Sequence, residues 1–264
     1  MNDNPHTRFL RVTGQHKLYY RAVLRHVPVL KGVLSNGKRK IGPPDEVRAF
    51  NLPLSVCSDN GIASLACRAC CYAHDLTKGN FECVGTRASN NLSLIARDDF
   101  AELMIGAILD CGGRFFKIHI FGEFFSVAYI ESWVRICKEL PHVTFWTYTR
   151  AWRKTALVQP LSELSRLPNI QVLLSFDEDT GVPQVEIPDA KLAYLATRDG
   201  ETPSVPCCVV FRAAKDRDHV PMTSSGGSLV CPHEDGTTVA VRPCIECGIC
   251  LPRLSIDRCR QASR

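Results

Sequence analysis

Residues 115–150 read FFKIHIFGEFFSVAYIESWVRICKELPHVTFWTYTR. The opening run, 115–121, is short, apolar and rich in aromatic and β-branched residues, which favours an extended strand. Residues 126–139 change period: Ile130, Trp133, Val134 and Cys137 fall at i, i+3, i+4 and i+7, the stripe of an amphipathic helix. Ser126 stands where an N-cap is needed. The run 142–149, HVTFWTYT, is again strand-like. Two strands joined by a helix of this length can pair in parallel, so the segment predicts a β/α unit.

Working outward, the same alternation recurs. Strands are predicted at 48–56, 169–176, 191–197 and 207–211, the first weakened by Pro53, and helices at 97–110 and 154–167, the second stopped by Pro168. The expected fold class is therefore α/β with a parallel sheet. His119 lies inside the strand 115–121, on the side opposite Ile118 and Ile120. Its commoner role is a hydrogen-bonded core histidine; the other is to face a barrel interior. Cys57, Glu123, Arg150, Asp177 and Arg198 follow predicted strands, where parallel α/β architectures place their ligand sites. Tyr148 and Thr149 end the third strand, and Ser175 the fourth. Arg150 suits a carboxylate or phosphate, and Ser175 a ribose hydroxyl.

The composition is that of a globular chain: 264 residues, 45% hydrophobic and 22% charged. No apolar stretch approaches a membrane span, and the first residues lack a secretory h-region, so a cytoplasmic protein with no membrane partner is expected. P-loop, GxSxG and HExxH motifs are absent, as are the signatures of RRM, KH and helix-turn-helix modules. Net charge is +5, but residues 1–48 carry ten Lys/Arg against three acids. The boundary of this basic N-terminal arm is set at 46, within the turn-rich 37–46. Such an arm either contacts the phosphates of a nucleic acid or is a solvated terminus.

Fourteen cysteines in a chain of this size, without a secretory signal, point to metal chemistry rather than a disulfide framework. Cys57, Cys67 and Cys70 form C-x9-C-x2-C, with Cys71 directly after and competing as third ligand. From spacing alone, an iron–sulfur cluster with one open iron and a zinc site completed by His74 fit equally. Cys244, Cys247 and Cys250 form C-x2-C-x2-C, the opening of a ferredoxin run without its fourth cysteine. Cys231 is the natural fourth ligand; Cys259, Cys207 and Cys208 are weaker candidates. A tight triple suits a cubane better than a zinc knuckle, which uses thiols in pairs.

The three-cysteine loop after the first strand, continuing Cys71-Tyr72-Ala73, resembles radical S-adenosylmethionine enzymes. The nine-residue spacing resembles the variant in the catalytic subunit family of the Elongator tRNA-modifying complex. Phe121-Gly122-Glu123 resembles the GGE motif of that superfamily, which implies that Gly122 and Glu123 hold the cofactor's ammonium. A longer resemblance covers roughly 50–150 and 230–251. HIFGEFFSVAY, the following tryptophan and FWTYT are similar to the phage "gene product eighty-eight" family, which reads roughly H-x-S-G-D-F-F-S-x-x-Y, W, F-Y-x-Y-T. Glu123 departs from that family's aspartate, and the nine-residue loop is a second departure.

These resemblances imply a partial (β/α) barrel of radical S-adenosylmethionine type over 47–215, with a Cys-rich C-terminal segment at 216–264. They imply one or two [4Fe-4S] clusters, S-adenosylmethionine as cofactor and an external electron donor. The implied activity is generation of a 5′-deoxyadenosyl radical that modifies an unidentified substrate, a nucleic acid or nucleotide among the candidates. The competing expectation is a non-catalytic, zinc- or iron–sulfur-stabilised nucleic-acid or partner-binding protein of a phage or other mobile element.

Overall fold

The computed structural model describes residues 33–35, 41–43, 45–76, 82–198, 201–213, 228–232 and 243–252. Most of the basic arm, and Cys259, lie outside the described residues. Six parallel strands form one sheet in sequence order: β1 (Val47–Phe50), β2 (Phe115–Ile118), β3 (Thr144–Thr149), β4 (Ile170–Phe176), β5 (Lys191–Ala196) and β6 (Val209–Arg212). Neighbouring strands pair through Val47 with Phe115, Phe115 with Thr144, Phe145 with Ile170, Leu173 with Lys191 and Ala193 with Val209. The sheet curls into a half-barrel, giving a mixed α/β fold.

Between β1 and β2 run α1 (Ser55–Asp59), α2 (Leu65–Ala69), α3 (Ala73–Leu76), α4 (Glu82–Ile95) and α5 (Phe100–Cys111). Between β2 and β3 lies α6 (Val127–Glu139). A 3-10 turn (Ala151–Arg153) and α7 (Thr155–Ser165) precede β4, and α8 (Cys244–Cys247) lies near the C-terminus. The helix over 126–139 forms as its pattern dictates. The Ser126 hydroxyl accepts the Tyr129 amide at 3.3 Å, and Ile130, Trp133, Val134 and Cys137 are buried.

The two faces of the sheet are covered differently. Phe50, Phe116, Phe145, Val172, Leu174 and Phe176 point into a core shared with Trp133, Ile130 and Leu161 of the helices. On the other face, Val47, Phe115 and Trp146 pack under Ile41, Ile245 and Leu251. Leu173, Ala193 and Val209 meet Cys208, Cys231, Ile249 and Cys250 there. Of the described part of the Cys-rich C-terminal segment, residues 243–252 are thus a layer laid on the sheet, whereas Val230 bridges Val210 beside β6. β4 is buried on both sides, with Gln171 and Ser175 the polar residues on the face away from the helices.

Two strands stop short of their predicted ends. The run expected at 48–56 leaves the sheet after Phe50 and enters α1, with Pro53 and Leu54 opening the turn; a proline has no amide for the ladder. The run expected at 115–121 ends at Ile118 because His119 adopts φ 64°. Its amide still reaches the Phe50 carbonyl at 2.9 Å, but the chain then turns, and Asn51 Oδ1 takes the Ile120 amide at 2.8 Å. Of the two roles weighed for His119, the structure shows the core one: its ring is buried and Nε2 meets the Tyr129 hydroxyl at 2.8 Å. Burial pushes its pKa down to about 3, so the ring is neutral.

α4 falls in a stretch read as having no element. Its sequence, ECVGTRASNNLSLI, is mostly polar, and few of its side chains are buried; Asn91 is one, and its amide donates to Asn51 O at 2.9 Å and Val33 O at 3.2 Å.

Candidate functional site

The carboxyl ends of β1 to β4 open into a cavity of about 670 Å³ lined by Cys57, Cys67, Cys71, Gly122, Glu123, Tyr148, Arg150 and Ser175. Residues far apart in the chain, singled out from three separate motifs, therefore share one space. Arg198 does not join them; it pairs at the surface with Glu178.

Gly122 ties the thiols to the motif after β2. Its amide stands beside the Cys57 sulfur and works against the rise that burial gives that thiol's pKa. Its φ is +95°, and a Cβ there would lie 2.6 Å from Leu52 Cβ and 2.8 Å from Leu52 N, so only glycine fits. Cys67 sits on α2, whose Ser64 cap accepts the Cys67 amide at 2.9 Å. Ser64 in turn donates to Asp177 Oδ2, and the Ala66 amide meets Asp179 at 2.8 Å, so α2 is fastened to the end of β4. The Tyr72 hydroxyl donates to the Ile120 carbonyl and holds the chain after Cys71 against the end of β2.

Of the two sulfurs competing as third member of the set, Cys71 lines the cavity. Cys70 Sγ instead donates to the Ala66 carbonyl at 3.1 Å, within its own helix. His74, the candidate fourth zinc ligand, also lines the cavity.

Glu123 is buried and braced. Oε1 accepts from the Phe124 amide at 2.7 Å and the Thr149 hydroxyl at 2.6 Å, while Oε2 accepts the Arg150 amide at 2.7 Å. Burial pushes its pKa up to about 7 against those donors. The carboxylate that the resemblance reserves for a ligand ammonium is thus largely occupied by the protein's own groups, leaving about one of its four lone-pair positions. Arg150 Nη1 pairs with Asp177 Oδ2 at 2.7 Å, both side chains buried. Burial raises the Asp177 pKa, but Arg150, Ser64 and Thr180 hold it below the ordinary value. Arg150 Nη2 is buried without a hydrogen-bond partner. An orphaned guanidinium N–H beside a cavity is a donor awaiting an acceptor.

The thiols resist ionisation. Burial raises Cys57 well above the ordinary thiol value, and Glu123, Cys67 and Cys71 raise it further. Cys67 is pushed up to about 11 by burial, against the pull of Arg150. A bound cation would reverse this preference, because its charge removes the penalty for assembling several thiolates. In donor chemistry the set fits a sulfur-bound metal or cluster. Among the described residues, however, no group of three or more His, Cys, Asp or Glu side chains is placed to hold a metal ion.

The C-terminal cysteines gather on the inner sheet face. Cys208, Cys244 and Cys231 each raise the pKa of Cys250, which burial pushes up to about 12. Cys208 is the neighbour that spacing ranked low. It precedes β6, and its Sγ donates to the Ile249 carbonyl at 3.5 Å. No helix among the described residues is long and apolar enough to cross a membrane.

Comparison with known proteins places this architecture. The Gene product 88 family matches residues 30–253. A "Gene 88 protein" of Mycobacterium phage L5 is 31% identical over 170 residues, spanning 60% of this chain and 66% of that protein. A "Gene 88 protein" of Mycobacterium phage D29 is 26% identical over 246 residues, 88% of this chain and 91% of that one. No solved structure matches. With most of its length inside the matched span, the chain belongs to the Gene product 88 family.

Proposed function

We propose that the cavity at the ends of β1 to β4 is the active site of a radical S-adenosylmethionine-like iron–sulfur enzyme. The observation that carries this reading is the meeting of Cys57, Cys67 and Cys71 with Gly122, Glu123 and the unpartnered Nη2 of Arg150 in one cavity. Three thiolates would hold a [4Fe-4S] cluster and leave one iron open. Cluster and cofactor together supply reductive cleavage of S-adenosylmethionine to a carbon-centred radical, with the electron from an external donor.

The chain's own contribution is positional. The Gly122 amide stands beside Cys57, and the Ser64 side chain caps α2 by accepting the Cys67 amide at 2.9 Å, which fixes the backbone that carries that thiol. Arg150 offers Nη2 to a carboxylate while Asp177 holds the other arm of the guanidinium. The one free lone-pair position of Glu123 suits an ammonium at the same end of the ligand. Ser175 lines the cavity where a ribose hydroxyl would lie.

The test is anaerobic reconstitution with iron and sulfide, followed by assay for 5′-deoxyadenosine. Cofactor cleavage that is lost in Cys57→Ser and Cys71→Ser but kept in Cys70→Ser supports the reading. A fully loaded cluster with no cleavage overturns it, and so does zinc in place of iron.

A further inference from the structure

We propose that Cys208, Cys244, Cys247 and Cys250 hold a second iron–sulfur cluster, seated on the inner face of the sheet, with Cys208 as the fourth ligand that the C-terminal run lacks. The site uses none of the thiols of the cavity that carries the proposed activity, and Tyr148 lies between the two.

Cys244 and Cys247 lie on one turn, α8, which ends at Gly248 with φ 72° and carries the chain straight to Cys250. The layer is docked on the sheet at both ends. The Ile245 amide donates to the Ile41 carbonyl at 3.2 Å, and Lys191 Nζ donates to the Leu251 carbonyl at 3.4 Å. Cys208 is held beside this layer by its amide, which donates to Leu192 O at 2.9 Å. Its sulfur bonds the carbonyl of Ile249, the residue between Cys247 and Cys250 that borders the last ligand. The thiol just before β6 therefore already abuts the run, and the sulfurs must turn from their present partners to close on a cluster.

The surroundings suit an anionic sulfur centre. Cys208 and Cys250, both half-buried, pack against the buried apolar side chains of Leu173, Ala193 and Val209. Two cations reach the same face: Lys191, and Lys117, whose Nζ lies 4.8 Å over the Tyr148 ring. Tyr148 packs beside Cys250. Cations and hydrogen bonds to sulfur offset cluster charge. Cys231 packs among the same side chains, with its amide donating to Val210 O at 2.9 Å.

The experiment uses the full chain carrying Cys57→Ser, Cys67→Ser and Cys71→Ser, which removes the first thiol set, so that failure here is separable from failure of the proposed activity. After anaerobic reconstitution with ferrous iron and sulfide, about four iron and four sulfide per chain and broad absorbance in the visible blue are expected. Adding Cys208→Ser should cut iron content at least twofold, whereas adding Cys231→Ser should leave it unchanged. No iron in the triple variant, zinc in its place, or full iron after Cys208→Ser overturns the proposal. Should Cys208→Ser fail to fold, cysteine alkylation of the parent before and after reconstitution replaces it, read residue by residue by mass spectrometry. Protection of Cys208 together with Cys244, Cys247 and Cys250 supports the assignment; modification of Cys208 alone among the four overturns it.

Discussion

Tyr148 packs with Cys250 on the inner face of the sheet, its hydroxyl beside that sulfur, and the same residue lines the cavity that contains Cys57. One residue at the end of β3 thus adjoins both thiol sets. Its ring meets Phe211 edge-on, with centroids 5.1 Å apart. Tyr148→Phe keeps that packing and removes only the hydroxyl, so a loss of about 1 kcal/mol is expected in urea unfolding. A loss above about 3 kcal/mol would mean that the hydroxyl does more than stand beside one sulfur.

Gly122→Ala should be far costlier than its one added methyl suggests. The left-handed backbone and the clash with Leu52 act together, and a loss of about 3 kcal/mol or failure to fold is expected. Gly112→Ala is the control: φ is +69° there too, but nothing lies within 4 Å of the added Cβ, so about 1 kcal/mol is expected. Equal melting temperatures for the two variants would remove the argument for close approach at Gly122.

The Arg150–Asp177 pair closes the cavity floor with both charges buried. Arg150→Met strands Asp177 and should cost about 3–5 kcal/mol, whereas Arg150→Met with Asp177→Leu should recover part of that. Equal losses in the single and double variants, measured by chemical denaturation, would show that the two residues are not coupled.

Glu123 gives the stability curve a slope opposite to that of an ordinary paired carboxylate. Its folded pKa, about 7, lies above its unfolded value, so the native state binds the extra proton. The contribution is fully present below the unfolded pKa of about 4.3 and is lost as pH rises to 7, a change on the order of 3 kcal/mol. Asp177 works the other way and in a lower window, its depressed pKa withdrawing stability as pH falls below about 4. The denaturation midpoint of the wild type, relative to Glu123→Gln, should therefore fall between pH 5 and pH 7.5. A flat difference across that range would show that Glu123 is ionised throughout.

Much of the fold could be read along the chain because it is local. The stripe Ile130, Trp133, Val134 and Cys137, with Ser126 before it, specifies α6 without reference to anything else. The strands β2 to β6 were recognisable by composition, though not at their ends. The end of β2 is set by His119 turning left-handed and by Asn51 taking the next amide, a partner 69 residues away. The same reason hid the choice between Cys70 and Cys71. Adjacent thiols look alike in sequence, and what separates them is the Tyr72 bond to Ile120 and the helical carbonyl that takes Cys70. Glu123, Arg150 and Asp177 were each visible as polar residues closing a strand, but not as a chain of contacts, because that depends on the curl of the sheet. Cys208 gave no spacing signal, being 36 residues before Cys244 and brought close only when β6 takes its place in the sheet.

The layer formed by Ile245, Ile249 and Leu251 is the last of these elements to leave the ribosome, yet it covers the side of the sheet that β1 helps to build. Until it arrives, Phe115 and Trp146 face water on a surface that the six strands have already completed. Nascent chains halted before residue 243 should therefore be sticky, recruiting chaperones or one another.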